Sequence, residues 1–172
     1  MLKLRIHGIK DGNHNIELEA PFVPLSEKYQ DFFGQVLVKG LLSKLGNRFT
    51  FKGEASCKAK LVCDISAEEY IEDIKADINL ILVVNTELYF LQKESDQPID
   101  MDMEIALHEA DEYFDMTKIV YDELILSLPV KNISPNYRGK NFEECFPQYS
   151  IKNKKDDTID DRWAALKNID LN

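Results

Sequence analysis

From Phe49 to Ile65 the chain alternates, with Val62 the one apolar residue on the polar parity. Phe49, Phe51, Gly53, Ala55, Cys57, Ala59, Leu61, Cys63 and Ile65 share one parity, while Arg48, Thr50, Lys52, Glu54, Ser56, Lys58, Lys60 and Asp64 stand on the other. Successive side chains of a strand point to opposite faces, so this pattern dictates a long β-strand with one buried and one wet face. Gly53 removes side-chain bulk and marks the place where such a strand bends. Cys57 and Cys63 fall on the buried parity, about 20 Å apart along a straight strand, which is too far for a disulfide. Buried free cysteines act as small hydrophobes, so neither reads as a nucleophile.

The segments around this strand read as further β-structure. Leu2, Leu4 and Ile6 alternate, Lys10-Asp11-Gly12-Asn13 carries turn chemistry, and Ile16, Leu18 and Ala20 alternate again, which predicts an opening hairpin. Pro21 and Pro24 end that pattern, and Ser26 to Phe33 is a connector with a helical turn. Val36, Val38, Gly40 and Leu42 predict a strand that stops at Gly46-Asn47. A long strand carries Ile74, Ala76, Ile78, Leu80, Leu82 and Val84 inward; after a loop from Gln92 to Pro98, another places Met101, Met103, Ile105 and Leu107 inward.

At Asp115 the period becomes helical. Met116, Ile119, Val120, Glu123 and Leu124 share a face, Asp115 serves as N-cap, and Pro129 halts the helix after Leu128. The expected organisation is a β-rich core over 1–130 with this helix at about 115–128. A loop or partly disordered linker follows over 131–157, then a short C-terminal helix and tail over 158–172, with Trp163 and Leu166 on one helix face. The fold class is α+β: a curved, mainly antiparallel sheet tending toward a barrel, packed by two helices, with a flatter two-layer sandwich as the alternative.

Charge narrows the function. The net charge of −10 argues against indiscriminate coating of nucleic acid. Eleven acids lie between Glu94 and Glu123 against the single base Lys118, which accounts for the whole excess. Such a block is a solvated surface or a docking surface for a basic partner, and Asp100, Asp102, Glu104, Glu109, Asp111 and Glu112 are its candidate contacts. Arg48, Lys52, Lys58 and Lys60 line the wet face of the long strand, and Tyr137, Arg138, Lys140, Lys154 and Lys155 form a second basic set, so both are candidates for RNA contact.

No phosphate loop, nucleophile elbow, paired-histidine helix or dinucleotide fingerprint is present, and His7, His14 and His108 have no metal-ligand spacing with a cysteine. Neither cofactor nor resident metal is expected. The alternative to a binding protein is an enzyme or metal-binding protein built on Asp100, Asp102, Glu104 and His108. No apolar run is long enough to span a membrane, and the N-terminus lacks a secretory pattern, so a cytosolic protein without membrane attachment is expected.

Three passages, taken in order, resemble the YceD family of large ribosomal RNA subunit accumulation proteins. Gly53-Glu54 through Leu61-Val62-Cys63-Asp64-Ile65-Ser66 is similar to the family's strand leading into a Cys-x-Arg-Cys-Leu sequence, with Ile65 and Ser66 replacing the arginine and the second cysteine. Phe114-Asp115-Met116 and the run Tyr121 to Leu128-Pro129 resemble its Ile-Asp-Leu opening and Leu-Pro helix end. Asp160-Asp161-Arg162-Trp163-Ala164-Ala165-Leu166 resembles the Asp-Pro-Arg-Trp-Ala-Ala-Leu tail of a Bacteroidetes-like branch. The resemblance implies a non-catalytic role in accumulating large-subunit ribosomal RNA, through contact with that RNA or with a basic large-subunit ribosomal protein.

Overall fold

The computed structural model describes residues 1–94, 104–140 and 142–147. The elements run β1 (Lys3–Arg5), β2 (Gly12–Pro21), β3 (Phe32–Leu45), β4 (Arg48–Val62), β5 (Glu69–Val84), α1 (Thr86–Glu94), β6 (Ile105–Leu107), β7 (Tyr113–Asp115), α2 (Thr117–Leu126) and α3 (Phe142–Cys145). One 3-10 turn, Glu27–Tyr29, lies in the connector between β2 and β3. Two compact units result, Met1–Ser134 and Pro135–Asn172.

In the first unit, β2-β3-β4-β5-β6 form a five-stranded sheet, antiparallel except for β6, which runs parallel to β5. The fold is therefore α+β, as the sequence pattern predicts. The sheet is open, because its terminal strands β2 and β6 do not pair with each other, and this corrects the expectation of a barrel tendency.

The alternation over Phe49–Ile65 converts directly into burial. Phe49, Phe51, Ala55, Cys57, Ala59 and Leu61 are buried, and Arg48, Lys52, Glu54, Lys58 and Lys60 are exposed. β5 matches it with Ile74, Ala76, Ile78, Leu80 and Leu82 inward. Over this face α2 lays Val120, Tyr121 and Leu124, and Leu4 of β1 and the preceding Leu2 add to it. Each fully buried Leu, Ile or Val contributes about 1.5–3 kcal/mol. Beneath them Gly40 and Gly53 pair across β3 and β4, and a side chain at either would collide with the facing backbone.

The opening hairpin does not form. β1 pairs antiparallel with β7 (Leu4↔Phe114), and β2 pairs instead with β3 (Ile16↔Gly40). Beyond β1 the Ile6 and His7 amides both donate to Glu112 O, at 3.0 and 3.2 Å, so the chain is committed to β7 before any turn can fold it onto β2.

The segment after β5 also departs from expectation, since α1 occupies Thr86–Glu94 and includes the start of the expected loop at Gln92. Asn85 Oδ1 caps it, accepting from Leu88 N–H at 3.0 Å. α1 carries the chain over to β6, whose Ile105, Ala106 and Leu107 are all buried rather than alternating. The expected strand positions Asp100, Met101, Asp102 and Met103 lie outside the described residues.

α2 begins at Thr117 with Met116 in the N-cap position, so Asp115 stands one residue ahead of its expected place. Its carboxylate still accepts from Thr117 N–H at 3.0 Å and from Thr117 Oγ1–H at 2.5 Å. The helix ends at Leu126, Ser127 N–H donates to Glu123 O at 2.9 Å, and Pro129 follows after Leu128. In the second unit, Lys140 N–H donates to Tyr137 O at 3.2 Å and α3 follows. The expected C-terminal helix with Arg162 and Trp163 lies outside the described residues.

Candidate functional site

The basic face of β4 is crossed by carboxylates from its neighbours. Lys60 Nζ meets Glu69 at 2.7 Å and Arg48 meets Glu104 at 2.8 Å. Alongside, Lys75 meets Glu54 at 2.9 Å and Lys39 meets Glu17 at 2.7 Å. The register explains the pairing, since Lys39 and Asp77 flank Glu54 across the sheet and Lys75 lies one diagonal away. Lys52 and Lys58 remain exposed without an ion pair among the described residues. The two candidate surfaces thus touch at Arg48–Glu104.

The acidic residues that follow β6 divide by role. Asp111 turns inward, its Oδ2 accepting from His108 N–H at 2.9 Å while its own amide donates to His108 O at 3.0 Å, which closes a turn. Glu109 and Glu112 are exposed and carry no ion pair among the described residues. His108 packs edge-on against Tyr89 and Phe90 of α1, with centroids at 5.7 and 5.9 Å. Its Nδ1 accepts from Ala110 N–H at 3.0 Å, so the neutral ring holds its hydrogen on Nε2 and neither nitrogen offers a spare lone pair to a metal. Among the described residues no group of His, Cys, Asp and Glu is disposed to hold a metal ion.

Cys63 lies in the turn joining β4 to β5, where Ala67 adopts a left-handed conformation at φ 58° and donates to Cys63 O at 2.8 Å. Its sulfur is buried and accepts from Ser134 N–H at 3.4 Å. Burial resists ionisation, yet the Ser134 and Ser66 amides, the Ser66 hydroxyl and the Ile65 amide outweigh it and lower the thiol to about 6. Ser66, at the position of the second cysteine in the resembled motif, is therefore among the groups that favour the thiolate of the first. Asp64 completes the turn's grip on the chain beyond α2, through Asp64 N–H to Asn132 O at 2.7 Å and Asn132 N–H to Asp64 Oδ2 at 2.8 Å. No local pattern marks Asn132 and Ser134, because their partners are about 70 positions away.

This turn has a measurable pH signature. A thiol whose folded pKa of about 6 lies below the unfolded value of roughly 8.5 stabilises the fold fully above the unfolded value, and the contribution is lost as pH falls through about 6. Urea midpoints measured between those limits should rise with pH in the wild type and lose that increment in Cys63→Ala. Parallel pH profiles for the two proteins would show that Cys63 does not titrate in this way.

In the second unit Tyr137 stacks on Phe146, with centroids 6.1 Å apart and planes at 17°, and exposed Arg138 and Lys140 follow Tyr137. Lys154 and Lys155 lie outside the described residues. Leu128 packs half-buried against the core and Pro129 is exposed, so both read as parts of the helix end.

No helix among the described residues is long and apolar enough to cross a membrane. No curated protein and no solved structure matches the chain. A family model described as large ribosomal RNA subunit accumulation protein YceD matches residues 51–170, from the core of β4 through α2 and beyond. That span covers most of the chain, including the turn at Cys63 and the entry to α2 at Asp115, and the chain belongs to the YceD family.

Proposed function

We propose that this protein supports accumulation of large-subunit ribosomal RNA in the cytoplasm without catalysing a reaction, by holding a basic ribosomal protein on its acidic surface. The observation that carries the reading is the concentration of acid between Glu94 and Glu123, where eleven acids stand against the single base Lys118 and Glu109 and Glu112 are exposed without a cationic partner among the described residues. The basic stripe is half neutralised, Arg48 and Lys60 being matched by Glu104 and Glu69 while Lys52 and Lys58 are not. An uncompensated acidic surface steers a basic protein toward it and disfavours RNA. Glu104 and Asp111 border that surface, and Asp100 and Asp102 belong to it by sequence. The second unit supports RNA contact as the other reading, because the Tyr137–Phe146 stack beside Arg138 and Lys140 combines aromatic surface with positive charge.

One low-salt experiment separates them. Purified protein is titrated in parallel with a basic large-subunit ribosomal protein and with a fragment of large-subunit ribosomal RNA. Glu109→Lys/Glu112→Lys should weaken ribosomal-protein binding by about tenfold or more and reduce its salt dependence. Unchanged protein binding in that variant, with RNA binding lost in Arg138→Ala/Lys140→Ala, would replace the first reading by the second.

A further inference from the structure

We propose that the edge of β2, unpaired among the described residues, takes an extended, lysine- or arginine-bearing peptide segment of the protein partner as an added strand; this rests on the protein-partner reading above.

The argument starts from hydrogen-bond parity. Phe22 N–H donates to Gly34 O at 2.8 Å, which makes 22 and 34 a hydrogen-bonded pair at the end of an uninterrupted antiparallel register. In such a ladder, hydrogen-bonded and non-hydrogen-bonded pairs alternate. The even residues of β2 therefore bond to β3, and Asn13, Asn15, Glu17 and Glu19 turn their N–H and C=O groups away from the sheet. Pro21, which has no N–H, sits at an outward position, where its missing donor breaks no ladder bond. The backbone groups of Asn13, Asn15, Glu17 and Glu19 have no hydrogen-bond partner among the described residues.

The opposite edge of the same sheet is treated differently. Along the three residues of β6, the Gln92 side chain donates to Glu104 O at 2.7 Å and accepts from Ala106 N–H at 2.9 Å, which occupies the edge. β2 is ten residues long and carries no bulge against β3, no lysine and no proline before its last residue. Those devices ordinarily protect an edge from pairing; of the charged side chains that also do so, β2 has only acids, Glu17 and Glu19.

Charge then selects the occupant. The outward face of β2 presents Glu17 and Glu19 and no Lys or Arg; Glu19 has no ion pair among the described residues. Opposite charges across adjacent strands stabilise and like charges destabilise, so a second copy of β2 centred on this stretch would set acid against acid. A strand with Lys or Arg at alternate positions meets Glu17 and Glu19 favourably. Its intervening apolar residues extend the inner face beyond half-buried Ile16 and Leu18.

The test uses the full chain and a synthetic peptide of alternating lysine and valine, with residue-resolved amide exchange. In the free protein the amides of Asn13, Asn15, Glu17 and Glu19 should exchange fast and those of His14, Ile16 and Leu18 slowly. Saturating peptide should slow the first set by about tenfold or more. Glu17→Pro should keep the fold, since its N–H is not in the ladder, and abolish binding; Glu17→Lys/Glu19→Lys should keep the edge and also abolish binding. Peptide that binds without protecting β2, and is lost instead in Glu109→Lys/Glu112→Lys, overturns the edge site while the protein-partner reading stands. Absence of any peptide binding overturns the edge site, while the protein-partner reading is decided by the ribosomal-protein titration above. Outward amides already protected in the free protein, by a second copy or by the chain's own C-terminal residues, overturn the edge site as well.

Discussion

Gly40→Ala should destabilise the protein by about 3 kcal/mol, the upper end of what overpacking costs, and lower the melting temperature by roughly 10 °C for a chain of this size. A Cβ at position 40 would lie 2.5 Å from Lys52 O, 2.6 Å from Gly53 Cα and 2.7 Å from Phe51 Cζ. The ring could swing aside, but the first two contacts are with backbone held in the β3–β4 ladder, so relief requires parting the strands. Gly53 mirrors the situation, its added Cβ colliding with Lys39 O. Lys39→Ala, one residue away on the exposed face, removes only a solvent-exposed ion pair with Glu17 and should change stability by less than about 0.5 kcal/mol. Thermal melts of the three proteins decide the matter; a Gly40→Ala protein as stable as Lys39→Ala would mean that the strands have room at this pair.

That close approach was partly legible. Gly53 stands out because it occupies a core parity in a strand otherwise filled by Phe, Ala, Leu and Cys, and Gly40 does the same in β3. What the alternation cannot announce is that the two glycines face each other, since register is settled by turn geometry and long-range packing. The same limit hid the partner of β1. Leu2, Leu4 and Ile6 declare a strand, but Phe114 lies more than a hundred residues away, and a nearby turn signal at Asp11-Gly12 pointed to the wrong neighbour.

α1 failed for a different reason. None of its residues is buried, so it has no apolar stripe to read, and Leu88, Tyr89, Phe90 and Leu91 run consecutively. The N-cap at Asn85 was its one local signal. Of the candidate site, residue identities were legible and their charge balance was not. Arg48 and Glu104 are 56 positions apart, and only the β5–α1–β6 crossover brings the acid to the sheet edge. Local periodicity thus fixes which face a side chain takes, whereas compensation between charges is a property of topology.

Thr117→Val should cost about 2–3 kcal/mol, and it tests what the Asp115 signature does in this fold. The Thr117 hydroxyl accepts from Leu2 N–H at 2.8 Å and donates to Asp115 Oδ1, while Leu2 O accepts from Met116 N–H at 3.0 Å. Leu2 and Thr117 are both buried, so valine, nearly the same shape, leaves the Leu2 amide without a partner where water does not reach it. The loss should appear first as faster amide exchange in β1, because Leu2 is its fastening to α2. Thr117→Ser keeps the hydroxyl and should retain most of the stability. Acid titration supplies a second readout. Burial resists ionisation of Asp115, but the Thr117 hydroxyl and amide bonds, with the N-terminus and Lys3 nearby, hold its carboxyl below the usual range. A depressed carboxylate stabilises the fold above its unfolded pKa of about 3.9, and that contribution disappears as pH falls through the lower folded value. In Thr117→Val the carboxyl should move back up and the acid limb of the stability curve should flatten. Equal stability and equal acid limbs in Val and Ser variants would remove the hydroxyl from this account. A loss confined to Val makes Asp115 and Thr117 the lock between the N-terminal strand and α2, a structural role for Asp115 and not a chemical one.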